Sequence, residues 1–360
     1  MLSRTQGGSL QLSMAVDGFV RQWRRGARLN GARTRGAEMA LFSHGSFFSL
    51  PGPLVRRLDK ASRLLLQPDD GRPLDFSQPA GEPALTGPAS VSWRIFKNPV
   101  SLLTGGIAAV ILELAEPRVR TGVWEHTGFR ADPVRRMRRT GLAAMITVYG
   151  ARGTAEPMIA GIRRIHERIR GTTPSGEPYA ASDPELLNWV HMTAASGFME
   201  AYRAYAAPLC AEDRNRYYRE GSAAAALYGV TRPRASEAEV MAQFREMRPK
   251  LEPSPIIFEF LDIVRKAPLL PAPLRPAQPL FVAAAVSLIP AWARRILGLP
   301  DAFCLRPWQR FLVKQAGALA DTIMLESSPA VQSCLRMRLP ADYLYRASRA
   351  GPLAPGNGVR

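Results

Sequence analysis

Ser182-Asp183-Pro184-Glu185-Leu186-Leu187-Asn188-Trp189-Val190-His191 is the stretch on which the reading of the fold turns. It opens with helix-start chemistry: Asp183 as N-cap with Pro184 at the first helical position, or Ser182 with Glu185 as a capping box. Downstream, Leu187, Val190, His191, Ala194, Phe198, Ala201 and Tyr205 recur at helical spacing and mark one apolar face. A histidine stands on that face about two turns in. The chain has only four histidines, so this position asks for a chemical account.

The same punctuation extends in both directions. A helix is expected over 100–115, stopping at Pro117, and another from the Asp132-Pro133 cap to 149–150. A third runs from about residue 154 to Gly171, carrying Ile159, Ile162, Ile165, His166 and Ile169 at helical spacing. After a loop over 172–181 comes the His191 helix. Further helices are expected over 212–228, 237–248, 255–265, 277–289 and 307–325, with Ser236 and Glu239 as a second capping-box match. Residues 41–98 are rich in Pro, Gly and turn residues, with one helix expected over 54–66. Convincing strands with period-2 alternation are absent. The expected fold class is therefore all-α: one multi-helix domain over 41–350, a basic arm over 1–40 and a flexible tail over 351–360.

Composition narrows the class less than its extremes suggest. The net charge is +18, and all but five of the 48 basic residues are arginine, the exceptions being Lys60, Lys97, Lys250, Lys266 and Lys314. Basic chains favour nucleic acid or anionic surfaces, yet these arginines are spread over most of the helices. No zinc-finger, helix-turn-helix or RNA-recognition signature accompanies them. Guanidinium forks also suit the carboxylates of a buried cofactor. Cys210, Cys304 and Cys334 are odd in number and widely separated, which makes neither a disulfide framework nor a metal cluster. The arginine-rich start is followed by no apolar core of a secretory signal. The apolar runs 99–115 and 280–289 are short or interrupted for a membrane span and read as core helices. A cytoplasmic location is expected, with peripheral membrane contact left open.

Two features carry chemistry. His191 on its apolar face is either a hydrogen-bonded core histidine or a neutral imidazole free to ligate a metal. His166 has a similar setting among Arg163, Arg164, Arg168 and Arg170, whereas His126 and His44 stand near a helix end and in the irregular N-terminal region. The second feature is Arg136-Met137-Arg138-Arg139-Thr140. On a helix Arg136 and Thr140 share a face, Arg139 is adjacent, and the segment beyond turns apolar. It is either a solvated basic helix end or a set of donors for an oxyanion or dioxygen. The sequence has no G-x-S-x-G elbow, P-loop, dinucleotide fingerprint or H-E-x-x-H. Glu-x-x-His pairs for a di-iron bundle are also missing.

Taken in order, these segments resemble the haem-dependent oxygenase family of the latex-clearing rubber oxygenases and the fungal mycophenolate-pathway MpaB oxygenase. The resemblance comprises Gly105-Gly106, Val123-Trp124-Glu125-His126-Thr127, the run Asp132 to Thr140, Arg164-Ile165-His166 up to Arg170-Gly171, and Tyr179 followed by Asp183 to His191. Pro208-Leu209 and Tyr217-Tyr218 follow in place, with weaker similarity reaching Leu288 to Arg294. The resemblance implies a globin-like core binding haem b, with His191 as the axial iron ligand. Arg136, Arg139 and Thr140 match the group around bound dioxygen, and Glu125 is an acid/base candidate. His126 and His166 match supporting positions. Rubber oxygenases tend to carry lysine where Arg139 stands, and arginine does not readily ligate iron. The implied partners are dioxygen and an apolar, isoprenoid-like alkene. The competing expectations are a non-catalytic haem or lipid carrier of the same fold and a basic helical nucleic-acid-binding protein.

Overall fold

The computed structural model describes Asp59 and residues 74–347. The expected basic arm, the tail, His44 and, Asp59 apart, the helix over 54–66 lie outside the described residues. Within them the all-α expectation holds, with fourteen α-helices. In chain order these are α1 (Val91–Phe96), α2 (Pro99–Glu113), α3 (Pro117–His126), α4 (Pro133–Tyr149), α5 (Arg152–His166), α6 (Pro184–Tyr205) and α7 (Ala211–Leu227). There follow α8 (Glu237–Met247), α9 (Pro255–Lys266), α10 (Gln278–Leu288), α11 (Ala291–Ile296), α12 (Pro307–Ala320), α13 (Pro329–Arg336) and α14 (Tyr343–Ala347).

Proline and its preceding residue write most of these boundaries. Pro99, Pro117, Pro133, Pro184, Pro255 and Pro329 each open a helix behind a side-chain cap, namely Asn98, Glu116, Asp132, Asp183, Ser254 and Ser328. The first helical position needs no N–H partner, and proline arrives there with its φ already helical. Pro117, expected only as a stop, is thus also a start: the buried Glu116 carboxylate accepts from Val119 N at 2.8 Å and launches α3. The two readings of the α6 entry resolve in favour of Asp183, whose carboxylate accepts from Glu185 N and Leu186 N. At α8, Ser236 accepts from Glu239 N, while the returning Glu239 carboxylate takes Ala235 N, one residue before the cap.

The expected helix running to Gly171 stops at His166. Arg170–Thr172 instead pairs antiparallel with Pro178–Ala180 as a short ribbon, β1 and β2. Gly176, at φ 89, closes the turn between them. The strands are three residues each, too short for alternation to register in the sequence.

At the centre α2 and α6 cross backbone to backbone. A Cβ on Gly105 would stand 2.7 Å from Gly197 O and 2.8 Å from Phe198 Cα. A Cβ on Gly197 would stand 2.6 Å from Gly105 O. Gly317 of α12 makes a comparable approach to Tyr205 O, and α10 lies along α2. Around this pair the core gathers Trp93, Ile107, Ile111, Tyr149, Trp189 and Tyr202, all essentially inaccessible. No single described helix is long and apolar enough to cross a membrane. The bent pair α2 and α3 passes such a test only together, at 113°.

Candidate functional site

Five residues of the Asp183–His191 motif hold α6 in place. Asp183 caps it. Glu185 is bridged by Arg118 and Lys250, and Leu186 enters the core. Asn188 accepts from Thr231 N and Arg232 N at 3.2 Å each, tying the helix to the chain beyond α7. Trp189 is fully buried, edge-on to Phe244 at 5.8 Å. Held from these sides, the helix leaves a different face unburied: Leu187, Val190, His191, Ala194 and Phe198 are all half-buried. The neighbouring stripe of α2 is half-buried too, through Leu102, Gly106, Val110 and Glu113. The stripes adjoin, because a Cβ on Gly106 would lie 3.7 Å from the Phe198 ring, and Glu113 hydrogen-bonds with the Thr193 side chain.

His191 combines two properties that a packed core histidine does not. Burial alone pulls its pKa from 6.5 to about 4, with no charged or hydrogen-bonded neighbour contributing. The residue nevertheless stays only half-buried, and no described residue hydrogen-bonds either ring nitrogen. A group deep in protein yet in contact with open space lines an interior surface. At neutral pH it presents an uncharged imidazole with an available lone pair.

The Arg136 cluster falls where α4 passes from solvent to core. Met145, Ile146, Val148 and Tyr149 are buried, whereas Arg136 is half-buried and Arg139 and Thr140 are exposed. The expected pairing of Arg136 with Thr140 is present. Arg136 Nη1 donates to Thr140 Oγ1 at 3.0 Å, and Thr140 Oγ1 donates to Arg136 O at 3.0 Å. Arg136 also acts electrostatically on two other helices. Its charge counteracts the upward shift of Glu113 and adds to the burial that lowers the pKa of His166. Arg139 in turn disfavours the charge of Arg136.

Glu113 is the residue that sequence reading left out of the site. Burial pushes its carboxyl up to about 7, against the Arg136 charge and the Thr193 hydrogen bond. The available signal was a lone carboxylate in an otherwise apolar helix, in the stripe with Leu102, Gly106 and Val110. Glu125 is exposed at the end of α3, where the Tyr179 hydroxyl approaches its carboxylate at 3.5 Å. That hydroxyl also lies 3.1 Å from His126 Nε2, and no contact joins this group to Glu113 or Arg136 among the described residues. His166 lines a small polar cavity of about 100 Å³ with Arg163, Glu167, Ser182, Leu187, Tyr228 and Gly229. Its Nδ1 is buried without a partner among the described residues. Arg163 there makes no hydrogen bond or ion pair with a described residue.

Among the described residues no three His, Cys, Asp or Glu side chains gather to hold a metal ion. The arrangement is one accessible neutral imidazole on an apolar floor, with cationic and hydroxyl donors and one proton-carrying carboxyl grouped around Arg136. That donor set fits a metal whose remaining ligands come with a macrocycle, and haem fits it. The family described as ER-bound oxygenase mpaB/B'/rubber oxygenase, catalytic domain, matches residues 93–320, well over half of the chain. Comparison with curated proteins and with solved structures returned no match.

Proposed function

The chain belongs to the mpaB and rubber-oxygenase catalytic-domain family, and from that premise we propose that it is a haem b-dependent oxygenase. Its substrate is an apolar, unsaturated, isoprenoid-like molecule. The observation that carries the reading is His191: neutral, unpartnered among the described residues, and set in a half-open stripe of apolar side chains. His191 would hold the haem iron through its neutral imidazole. Arg163, at the polar cavity one helical turn from His191 along Leu187, is the cation available to a haem carboxylate.

When bound, haem supplies the iron that activates dioxygen for oxidative attack on the alkene. The chain's own residues set the surroundings. Arg136 and Thr140, hydrogen-bonded to each other, offer donors where negative charge develops on oxygen. Arg139 adds a fixed positive charge rather than a ligand, because a guanidinium keeps its proton and has no lone pair to give. Glu113 gains or loses a proton at its carboxyl oxygens near neutral pH, so it is the group able to exchange one with the reaction. Leu102, Val110, Val190 and Phe198 provide an apolar lining for the hydrocarbon.

Haemin reconstitution followed by visible spectroscopy tests the reading. A Soret band is expected in the native protein and its loss or displacement in His191→Ala. A native protein that takes up no haemin refutes it. Oxygen uptake on adding an alkene, abolished in Thr140→Ala while the Soret band persists, separates an oxygenase from a haem carrier.

A further inference from the structure

The outer face of α12 combines exposed aromatic rings with exposed cations on one helix. Trp308 is 55% exposed and Phe311 60%, the two most exposed large apolar side chains among the described residues. Leu319, at 37%, continues the same side of the helix. Spacings of three and then eight residues keep all three within one broad stripe. Val313 and Gly317 face the other way, into the core and against Tyr205. The stripe is therefore not a misplaced core face, because α12 already buries one.

Charge says what covers it. Lys314 is exposed next to Phe311 on the helix, Arg310 is exposed farther round it and Arg306 is exposed at its N-cap, and none of the three is ion-paired among the described residues. No acidic residue occurs between Asp301 and Asp321. Some arginines elsewhere on the surface are met by carboxylate, as in Arg214 with Glu237 and Arg219 with Glu212. Aromatic side chains that insert at a headgroup boundary, with unneutralised cations along the same helix and at its N-cap, match an anionic bilayer surface. An acidic protein partner would match the cations, but an aromatic ring exposed by more than half asks for apolar depth as well.

We propose that α12 docks the protein on the surface of anionic lipid bilayers, with Trp308 and Phe311 entering the interface and Arg306, Arg310 and Lys314 contacting headgroups. Docking brings the enzyme to the phase in which an apolar substrate is concentrated, but the inference does not depend on the haem reading. It is tested on full-length protein by co-sedimentation with phosphatidylcholine vesicles, with and without phosphatidylserine. Binding is expected only with phosphatidylserine and is expected to weaken about tenfold in Trp308→Ser/Phe311→Ser. The variant Arg306→Gln/Arg310→Gln/Lys314→Gln is expected to lose it as well. The control Arg164→Gln/Arg219→Gln/Arg245→Gln, which removes equal charge from α5, α7 and α8, is expected to retain it. Absence of native binding overturns the proposal, as does equal loss in the control, which would reduce it to net charge. An environment-sensitive dye on Gln315→Cys, in a Cys210→Ser/Cys304→Ser background, keeps the test decisive if an aromatic variant misfolds. Its emission should shift to the blue on phosphatidylserine vesicles, and an unchanged spectrum refutes docking. Concentration-dependent self-association that is lost in Trp308→Ser, without vesicle binding, would assign the face to a second copy and overturn the proposal.

Discussion

At the residue scale, function rests on how protein surroundings divide identical groups. His191 and His126 are both histidines at helical positions, yet one is neutral and unpartnered among the described residues and the other is exposed against Tyr179. Glu113 and Glu125 divide by burial, the first with its carboxyl pushed up to about 7 and the second exposed at the end of α3. The Arg136–Thr140 pair leads to a direct prediction. Arg136→Gln is expected to lower turnover about a hundredfold while leaving haem bound, as removal of an oxyanion-type donor does; steady-state oxygen uptake and the Soret band measured together check it. Titration gives a second prediction with two opposite signs. The folded Glu113 carboxyl, near 7 rather than its ordinary 4.5, holds a proton that the unfolded chain releases. Stability contributed by this group therefore falls as pH rises across that window. His191 is depressed from 6.5 to about 4, so its contribution is complete above the upper value and is lost as pH falls through the lower. The two oppose each other in the haem-free native protein. Urea unfolding at about pH 5 and about pH 8 should show Glu113→Gln gaining stability relative to native at the higher pH. His191 and the Arg136 cluster were legible as candidates from residue type and helical position. Glu113 was not, because its chemistry comes from helices that approach it from elsewhere in the chain.

At the scale of the element, boundaries were legible wherever a cap and a proline coincide, since both act within a few residues. Asp132-Pro133 and Asp183-Pro184 are read correctly for that reason. The omissions have physical causes as well. α2 ends at Glu113 and α3 begins at Pro117 after the short break Leu114, Ala115 and Glu116, and a proline read as a breaker conceals the restart. The short helices α1, α11, α13 and α14 offer too few turns for periodicity. Gly105-Gly106 is the most instructive pair. In sequence the pair is one motif of the family resemblance, whereas in the fold Gly105 is the point where two helix backbones touch. Gly105→Ala is accordingly expected to cost about 2–4 kcal/mol, because its Cβ meets backbone that has no rotamer to change. Gly106→Ala meets only an aromatic edge at 3.7 Å and should fall within about 1 kcal/mol of native. Urea midpoints of the two variants decide it.

At the scale of the whole molecule, buried polar groups join segments that lie far apart in sequence. Lys97, its side chain fully inaccessible, reaches the Asp321 carboxylate at 2.9 Å and the Asp321 carbonyl at 2.6 Å, across 224 positions. Asn98 and Tyr202 complete that cluster through the same carboxylate, at 3.1 Å each. Arg336 likewise donates to the carbonyls of Phe76, Glu82 and Tyr149, fastening the irregular segment before α1 to the ends of α4 and α13. Lys97→Met would strand the Asp321 charge in the interior, and a loss of about 3–5 kcal/mol is expected in urea unfolding. Asp321→Asn added to it should restore part of that loss. The sequence by itself determined the helical class, the main caps and the ordered motifs that identify the family, because those signals are local or are read in order along the chain. Tertiary structure alone decided that His191 is accessible and unpartnered among the described residues, that Glu113 belongs beside Arg136, and that α12 turns Trp308 and Phe311 outward. Each of those properties depends on low-dielectric surroundings and contacts built by helices distant in sequence, which no single stretch encodes.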